Sequence, residues 1–223
     1  MKAMQSNKEM IDFLEEHQEH ERIPKEVFDA MRVVDRKEFL PESIKHAAYE
    51  PRNALPIGYG QTCSAPNVVS TMSKLLELER GHKILEIGSG CGWHASVTGE
   101  IVNPGKVITL EIIPQLAKMA RENISRAKEI FGRDWNIEVV NVDGSIGYDK
   151  EKPYDRVYFT AGTPGSYPVN VLSNQLVEGG KCLLAPNLGF FRLGVKKGER
   201  VVSRNVTMGY FGFVPLRGEH GYK

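Results

Sequence analysis

Residues 84–93 read ILEIGSGCGW, with Gly88, Gly90 and Gly92 at alternate positions directly after an apolar, strand-like run. Glycine is needed where a chain turns with positive φ or where backbone must lie against a ligand, so this turn predicts a bound molecule. The spacing lacks both the GxGxxG of the dinucleotide fingerprint and the GK[ST] ending of a phosphate-cradling loop. Glu86 stands just before the first glycine. A carboxylate there is a poor neighbour for pyrophosphate and a better one for a ligand with a cationic end, such as the amino group and sulfonium of S-adenosyl-L-methionine. A glycine-rich turn without any ligand is the plainer alternative for this motif taken alone.

Two more acids fall at strand ends. Glu111 closes KVITLE, 19 residues after Gly92, and an acid at about that distance can accept hydrogen bonds from both ribose hydroxyls. Asp143 and Gly144 follow IEVVNV. Three successive strand ends thus carry an acid or a glycine at the edge where open α/β sheets bind ligands. Upstream, Ser64 reads as the N-cap of a helix with Pro66 in its first turn and Val68, Val69, Met72, Leu75 and Leu76 facing inward, which places its hydroxyl at a helix mouth. Cys63 and Cys91 fall in the same stretches; with no base motif beside them they read as small packing residues. His94 opens a helix, either touching a ligand or simply packing.

The elements that must position these residues follow from periodicity. Ser6 and Glu9 resemble a capping box for a helix starting near Asn7, and a second helix is predicted from Pro24 with Val27, Phe28, Met31 and Val34 on its apolar face. Residues 50–67 hold three prolines and two glycines, too many breakers for a regular element, and predict a shaped loop. From Lys83 strands and helices alternate: KILEI, a helix over 93–102, KVITLE, a helix over 114–131, IEVVN, YDRVYFT, a helix over about 168–176, and KCLLAP. That interleaving predicts crossover units and a doubly wound α/β core with a parallel sheet covered on both faces. After Gly189 three short β-like stretches (FFRLGV, VVSRNVTM, FGFVPL) predict antiparallel strands closing the sheet edge. The expected organisation is one domain: helices over 1–50, a substrate and cofactor loop over 51–67, the core over 68–188 and terminal strands over 189–223.

The segments LPIGYGQTCSAP (55–66), ILEIGSGCGW (84–93), LEIIPQLAKMARENI (110–124), VDGSIGY (142–148), PYDRVYFTAGTP (153–164), NQLVEGGKCLLAP (174–186) and FVPLRGEHGY (213–222) resemble the protein-L-isoaspartate (D-aspartate) O-methyltransferases over nearly the whole chain. The resemblance implies a Rossmann-like, seven-stranded methyltransferase fold that binds S-adenosyl-L-methionine. It implies methylation of the α-carboxyl of L-isoaspartyl residues, and possible action on D-aspartyl residues, in damaged proteins or peptides; the ester then collapses to a succinimide that can reopen as normal aspartate. By position, Gly88, Ser89 and Gly90 would line the methionine part, with Glu86 a further cofactor-binding residue. Glu111 would hold the ribose with Ile112 beside it, and Asp143 with Gly144 would contact the adenine. Thr160 and Ala161 would floor the transfer site. Thr62 and Ser64 would join the donor site, Ser64 also lying beside the reacting carboxylate. Asn67 stands where the family usually has His after SAP, Arg52 and Ala54 where its loop reads Asp-x-Pro, and Val142 where GDG begins. Arg52 reads either as a ligand for a substrate carboxylate or as an exposed loop arginine.

The chemistry expected of such a site is sparse. A carboxylate is ionised at neutral pH, with an ordinary pKa of about 4, so the nucleophile needs no general base. Attack on a sulfonium methyl neutralises two charges, and positioning in a poorly hydrated site supplies most of the acceleration. Two other readings share the fold: transfer to a different carboxylate or small nucleophile, and a non-catalytic cofactor-binding adaptor. A nicotinamide dehydrogenase is disfavoured by Glu86.

Of the 223 residues 41% are hydrophobic and 26% charged, enough apolar material for a substantial core. Twenty-nine basic against 28 acidic residues, without a long run of one sign, argue against a nucleic-acid partner. The polar amino terminus and short apolar stretches predict neither a targeting signal nor a membrane span. Three widely spaced cysteines without CxxC predict a reduced, cytoplasmic setting and no metal, with His17 and His20 on the surface. A monomer is expected.

Overall fold

The computed structural model describes residues 4–18 and 22–223. Helices α1 (Asn7–Glu16) and α2 (Lys25–Val33) form as predicted. Ser6 Oγ accepts the Glu9 amide at 3.2 Å, while the Glu9 carboxylate reaches back to the Gln5 amide at 2.8 Å. Met10, Ile11 and Leu14 of α1 and Val27, Phe28 and Met31 of α2 are buried. The Asn7 side-chain amide donates to the carbonyls of Met31 and Arg32, fastening α1 to the end of α2. His17 stacks on Phe13, and His20 lies outside the described residues.

The expected loop over 50–67 contains a regular element after all. Strands β1 (Leu55–Gly58) and β2 (Gln61–Cys63) pair antiparallel across Tyr59-Gly60, whose φ values of 55° and 71° give the doubly left-handed turn that matches strand twist. Leu55, Ile57 and Cys63 turn inward. Helix α3 (Pro66–Leu76) follows, but its N-cap is Ala65, with no side-chain cap bond. The expectation that Ser64 caps this helix is therefore corrected: Ser64 lies one residue too early, and its carbonyl is held by Arg36 at 3.0 Å.

Beyond it run β3 (Lys83–Ile87), α4 (Trp93–Val102), β4 (Lys106–Glu111), α5 (Pro114–Phe131), β5 (Asn136–Asn141), β6 (Tyr154–Thr163), β7 (Leu176–Pro186), β8 (Leu188–Lys197) and β9 (Arg200–Gly212). The seven-stranded sheet has the order β5-β4-β3-β6-β7-β8-β9, parallel through β7 and antiparallel at β8 and β9. Val107 through Glu111 are buried at every position, so both faces of β4 are covered, as the continuous apolar run requires of a parallel strand. One buried cluster runs from Met10 to Leu216.

Two boundaries differ from expectation. The helix predicted over 168–176 is a six-residue 3₁₀ helix, Val169–Asn174, and β7 starts at Leu176 instead of Lys181. Asn170, Ser173 and Asn174 favour turns over helix interiors, and the strand accommodates Glu178-Gly179-Gly180 by a register shift between Tyr154 and Arg156 of β6. The third terminal stretch forms no strand of its own: its first residues end β9, and Val214–Leu216 fold back on β6, where the Gly162 amide donates to Val214 O and the Leu216 amide to Gly162 O.

Candidate active site

A cleft opens across the carboxyl ends of β3, β4 and β6 and the turn after β5. Gly88, Gly90 and Gly92 all have positive φ, at 105°, 51° and 89°. At Gly88 the need is strict, because a Cβ would collide with Thr160 Oγ1. That hydroxyl donates to the Gly88 carbonyl at 2.6 Å, tying the turn to β6. Glu111 is 6% exposed and spans the loop: one oxygen accepts the Gly90 amide and the other the Ile113 amide, each at 3.0 Å. Burial pushes its carboxyl up despite those amides. A carboxylate has about four lone-pair sites, so acceptor capacity remains for ligand hydroxyls.

Ten of the residues expected from sequence line this cleft: Thr62, Ser64, Gly88, Ser89, Gly90, Glu111, Ile112, Gly144, Thr160 and Ala161. Two do not. Glu86 is wholly buried beneath the turn, accepting from Tyr158 Oη at 2.9 Å and from the Thr109 hydroxyl, and offers nothing to a cationic ligand directly. Asp143 lies beside the lining residue Gly144: its carboxylate takes the amides of Ser145 and Glu219, each at 2.8 Å, and so holds residues 218–219 against the end of β5. Both placements have one cause. Strand-end position was legible, but the direction of each side chain depended on partners far along the chain.

The β1–β2 hairpin lies over the glycine turn, so close that a Cβ at Gly90 would sit 3.3 Å from Ile57 Cδ1. Ser64, half-buried, sits where the cleft meets a second cavity; Ser64 and Thr62 line both. The second cavity is walled by Ile23, Val68, Tyr210 and Phe213, with Arg52 and Asn67 among its polar groups.

The family model for protein-L-isoaspartate(D-aspartate) O-methyltransferase matches residues 5–220. The chain belongs to this family. Protein-L-isoaspartate O-methyltransferase 2 of Archaeoglobus fulgidus is 44% identical over 202 residues, covering 90% of this chain and 89% of that one. The Methanopyrus kandleri enzyme of the same family is 43% identical over 202 residues, covering 88% and 85%. A solved protein-L-isoaspartate O-methyltransferase from Plasmodium falciparum, in complex with S-adenosyl-L-homocysteine, superposes with a TM-score of 0.80 at 22% identity, covering 96% of this chain and 99% of that one, and shows the same fold.

Several residues of this methyltransferase site were not assigned roles from sequence. Arg36, wholly buried, donates to five carbonyls and shapes the segment leading into the cleft. Trp93 anchors the turn to the amino-terminal helices through its indole N–H on Val34 O at 3.0 Å. Asn123 of α5 donates to both Cys91 O and Phe39 O. Cys63 and Cys91 are indeed buried, but they line the cleft and hydrogen-bond one another. For Cys63, burial raises the thiol, and the Cys91 bond and the Arg36 guanidinium outweigh it, bringing it down to about 6. The tail residues Val214–Arg217 also line the cleft. The terminal motif marked the family, but nothing in local periodicity showed that it folds back.

Glu86 has a consequence for stability. Burial raises its carboxyl from 4.5 to about 8, against the lowering effect of the Thr109 and Tyr158 hydroxyls. The native chain therefore keeps a proton there that the unfolded chain has lost, so the stability linked to Glu86 falls as pH rises through that window. Glu86→Gln is expected to remove about one proton of this pH dependence between roughly pH 5 and 8, measured as the slope of the urea midpoint against pH.

Proposed function

We propose that this chain repairs damaged proteins, transferring a methyl group from S-adenosyl-L-methionine to the α-carboxyl of L-isoaspartyl residues. The observation that carries the reading is one seam: Ser64 joins a strand-end cleft built like a nucleoside-and-amino-acid site to a second cavity open to a peptide. The residues present fit the donor. Gly88 and Gly90 hold the turn at positive φ against Thr160 and the hairpin, Glu111 has acceptor capacity for its ribose, Gly144 lines the cleft beside Ile87 and Leu110 where its adenine would lie, and Thr160 and Ala161 close the floor. Bound there, S-adenosyl-L-methionine supplies an electrophilic methyl on a cationic sulfur.

The chain's own task is to bind, aim and exclude water. The isoaspartyl carboxylate arrives ionised and needs no base; Ser64 is placed to donate one hydrogen bond that directs an oxygen without neutralising its charge. The β1–β2 hairpin and the returning tail at Val214–Arg217 narrow the cleft from above, so the nucleophile loses hydration as it enters. Ser64→Ala is expected to lower kcat by about 10- to 100-fold, the worth of one directed bond to a charged group, with S-adenosyl-L-homocysteine affinity changed by less than ~3-fold. Single-turnover kinetics and calorimetry separate the two.

The repair reading is tested by offering an isoaspartyl peptide and its normal aspartyl twin with labelled donor. Turnover of the first well above the second is expected; equal turnover overturns it. Acceptance of D-aspartyl sites is read from a third peptide in the same assay. We place the chain in the cytoplasm as a single-domain monomer with no nucleic-acid or membrane partner. Three free cysteines, the single hydrophobic cluster among the described residues and the near-neutral net charge support this. Among the described residues no helix is long and apolar enough to cross a membrane.

A further inference from the structure

Two thiols meet where the β1–β2 hairpin covers the glycine turn. Cys63 ends β2 and Cys91 stands between Gly90 and Gly92; each is 3% exposed, each lines the cleft, and they hydrogen-bond one another. The backbones that carry them are in contact, since a Cβ on Gly90 would lie 3.9 Å from the Thr62 carbonyl oxygen. Both are also held in place, Arg36 donating to Cys63 O at 3.2 Å and Asn123 to Cys91 O at 2.9 Å. Cys182 is buried apart from them in β7, against Gly194 of β8.

Arg36 makes this pair unlike two packed thiols. Its five acceptors are all neutral carbonyls, its Nε–H finds no oxygen or nitrogen partner, and its guanidinium lies against the Cys63 side chain. A buried cation calls for an anion beside it, and a thiolate at Cys63 supplies one. Burial raises the Cys63 thiol, but the Cys91 bond and the Arg36 charge outweigh it and bring it to about 6. On Cys91 the same bond, with burial, holds the proton in place. At neutral pH a thiolate therefore accepts a hydrogen bond from a thiol, the arrangement in which one sulfur attacks an oxidant and the other resolves the product. The methyl transfer described above uses neither sulfur.

We propose that Cys63 and Cys91 form a reversible disulfide when a peroxide enters the cleft, switching off the donor site, on whose assignment this effect rests. The Cys63 thiolate attacks one peroxide oxygen and the O–O bond breaks. Hydroxide leaves and takes back the proton that Cys63 had lost to solvent, giving water. The Cys91 sulfur then attacks the resulting sulfenic sulfur, the S–O bond breaks, and a second water leaves with the Cys91 proton. Two electrons pass from the sulfurs to the peroxide, so two thiols and one peroxide give one disulfide and two waters. A bond of about 2.05 Å replaces a non-bonded contact, and the hairpin and the turn must close on each other to make it. Both carry cleft residues, Thr62 and Ser64 on one side and Gly88, Ser89 and Gly90 on the other. A misplacement of about 1 Å can cost on the order of 100-fold in rate.

The test treats the reduced, unmodified protein with stoichiometric hydrogen peroxide in neutral buffer without denaturant. Its intact mass is expected to fall by two hydrogens, a digest to join the peptides of Cys63 and Cys91, and dithiothreitol to reverse both. Treatment should lower methyl transfer to an isoaspartyl peptide and affinity for S-adenosyl-L-homocysteine by roughly 10- to 100-fold, both recovered on reduction. Cys63→Ser and Cys91→Ser, each compared with its own untreated sample, should change by less than about 2-fold. Cys182→Ser should stay as sensitive as the unmodified protein. Thiols that remain reduced, oxidise singly to sulfinic acid or link through Cys182 overturn the proposal while the donor assignment stands. A Cys63–Cys91 bond that leaves both readouts unchanged does the same. Failure of the reduced protein to bind S-adenosyl-L-homocysteine overturns that assignment and the switch with it, while the mass readout still reports the disulfide.

Discussion

Gly88→Ala is expected to weaken S-adenosyl-L-homocysteine binding by at least ~100-fold and to reduce methyl transfer to background. Two costs coincide. At φ 105° the backbone lies where a residue with a Cβ is strained by about 1–3 kcal/mol. The added methyl also meets Thr160 Oγ1, which is not free to swing aside because it is bonded to the carbonyls of Ile87 and Gly88. Relief requires the turn to lift or Thr160 to move, and Thr160 is the cleft floor. Gly132→Ala is the control. It caps α5 at φ 62° with nothing within 4 Å of the new Cβ. It should cost about 1 kcal/mol of stability and leave ligand binding alone. Urea unfolding and calorimetry on the pair separate backbone strain from loss of the site.

The second large effect is on stability. Arg36→Met should lower unfolding free energy by about 3–5 kcal/mol, because it strips the donors from five carbonyls in a closed region. Those carbonyls belong to Ala48, Glu50, Asn53, Cys63 and Ser64, at 2.9 to 3.4 Å. The guanidinium also lies 5.4 Å from the centre of the Trp93 ring. Arg36→Lys should recover less than half, since a compact ammonium cannot reach a fan of acceptors. Ser64 and Cys63 are held through their own carbonyls, so surviving Arg36→Met protein should also show a raised KM for isoaspartyl peptide. An unfolding free energy from urea titration within ~0.5 kcal/mol of the unmodified protein's would refute this account.

How much was legible beforehand varied by element. Helix 93–102, strand 106–111 and helix 114–131 form where periodicity put them, because each carries its own signal: glycine before, proline at the first turn, an unbroken apolar strand. The β1–β2 hairpin hid among prolines and glycines, its turn made by Tyr59-Gly60 instead of a familiar Asn-Gly pair. Arg36 gave no local hint. An arginine is normally read as surface, and its burial is explained only by backbone carbonyls up to 28 residues away.

Local pattern determined the alternating strands and helices, the glycine turn and the placing of Glu111 at a strand tip, since each rests on backbone preferences within a few residues. Folding decided which tips face the cleft. Glu86 was drawn beneath the sheet edge by Tyr158 and Thr109, Asp143 was claimed by the amide of Glu219, and the hairpin and tail were brought over the opening. Those outcomes depend on which polar atoms find partners 23 to 76 residues distant, information that no short stretch of chain contains.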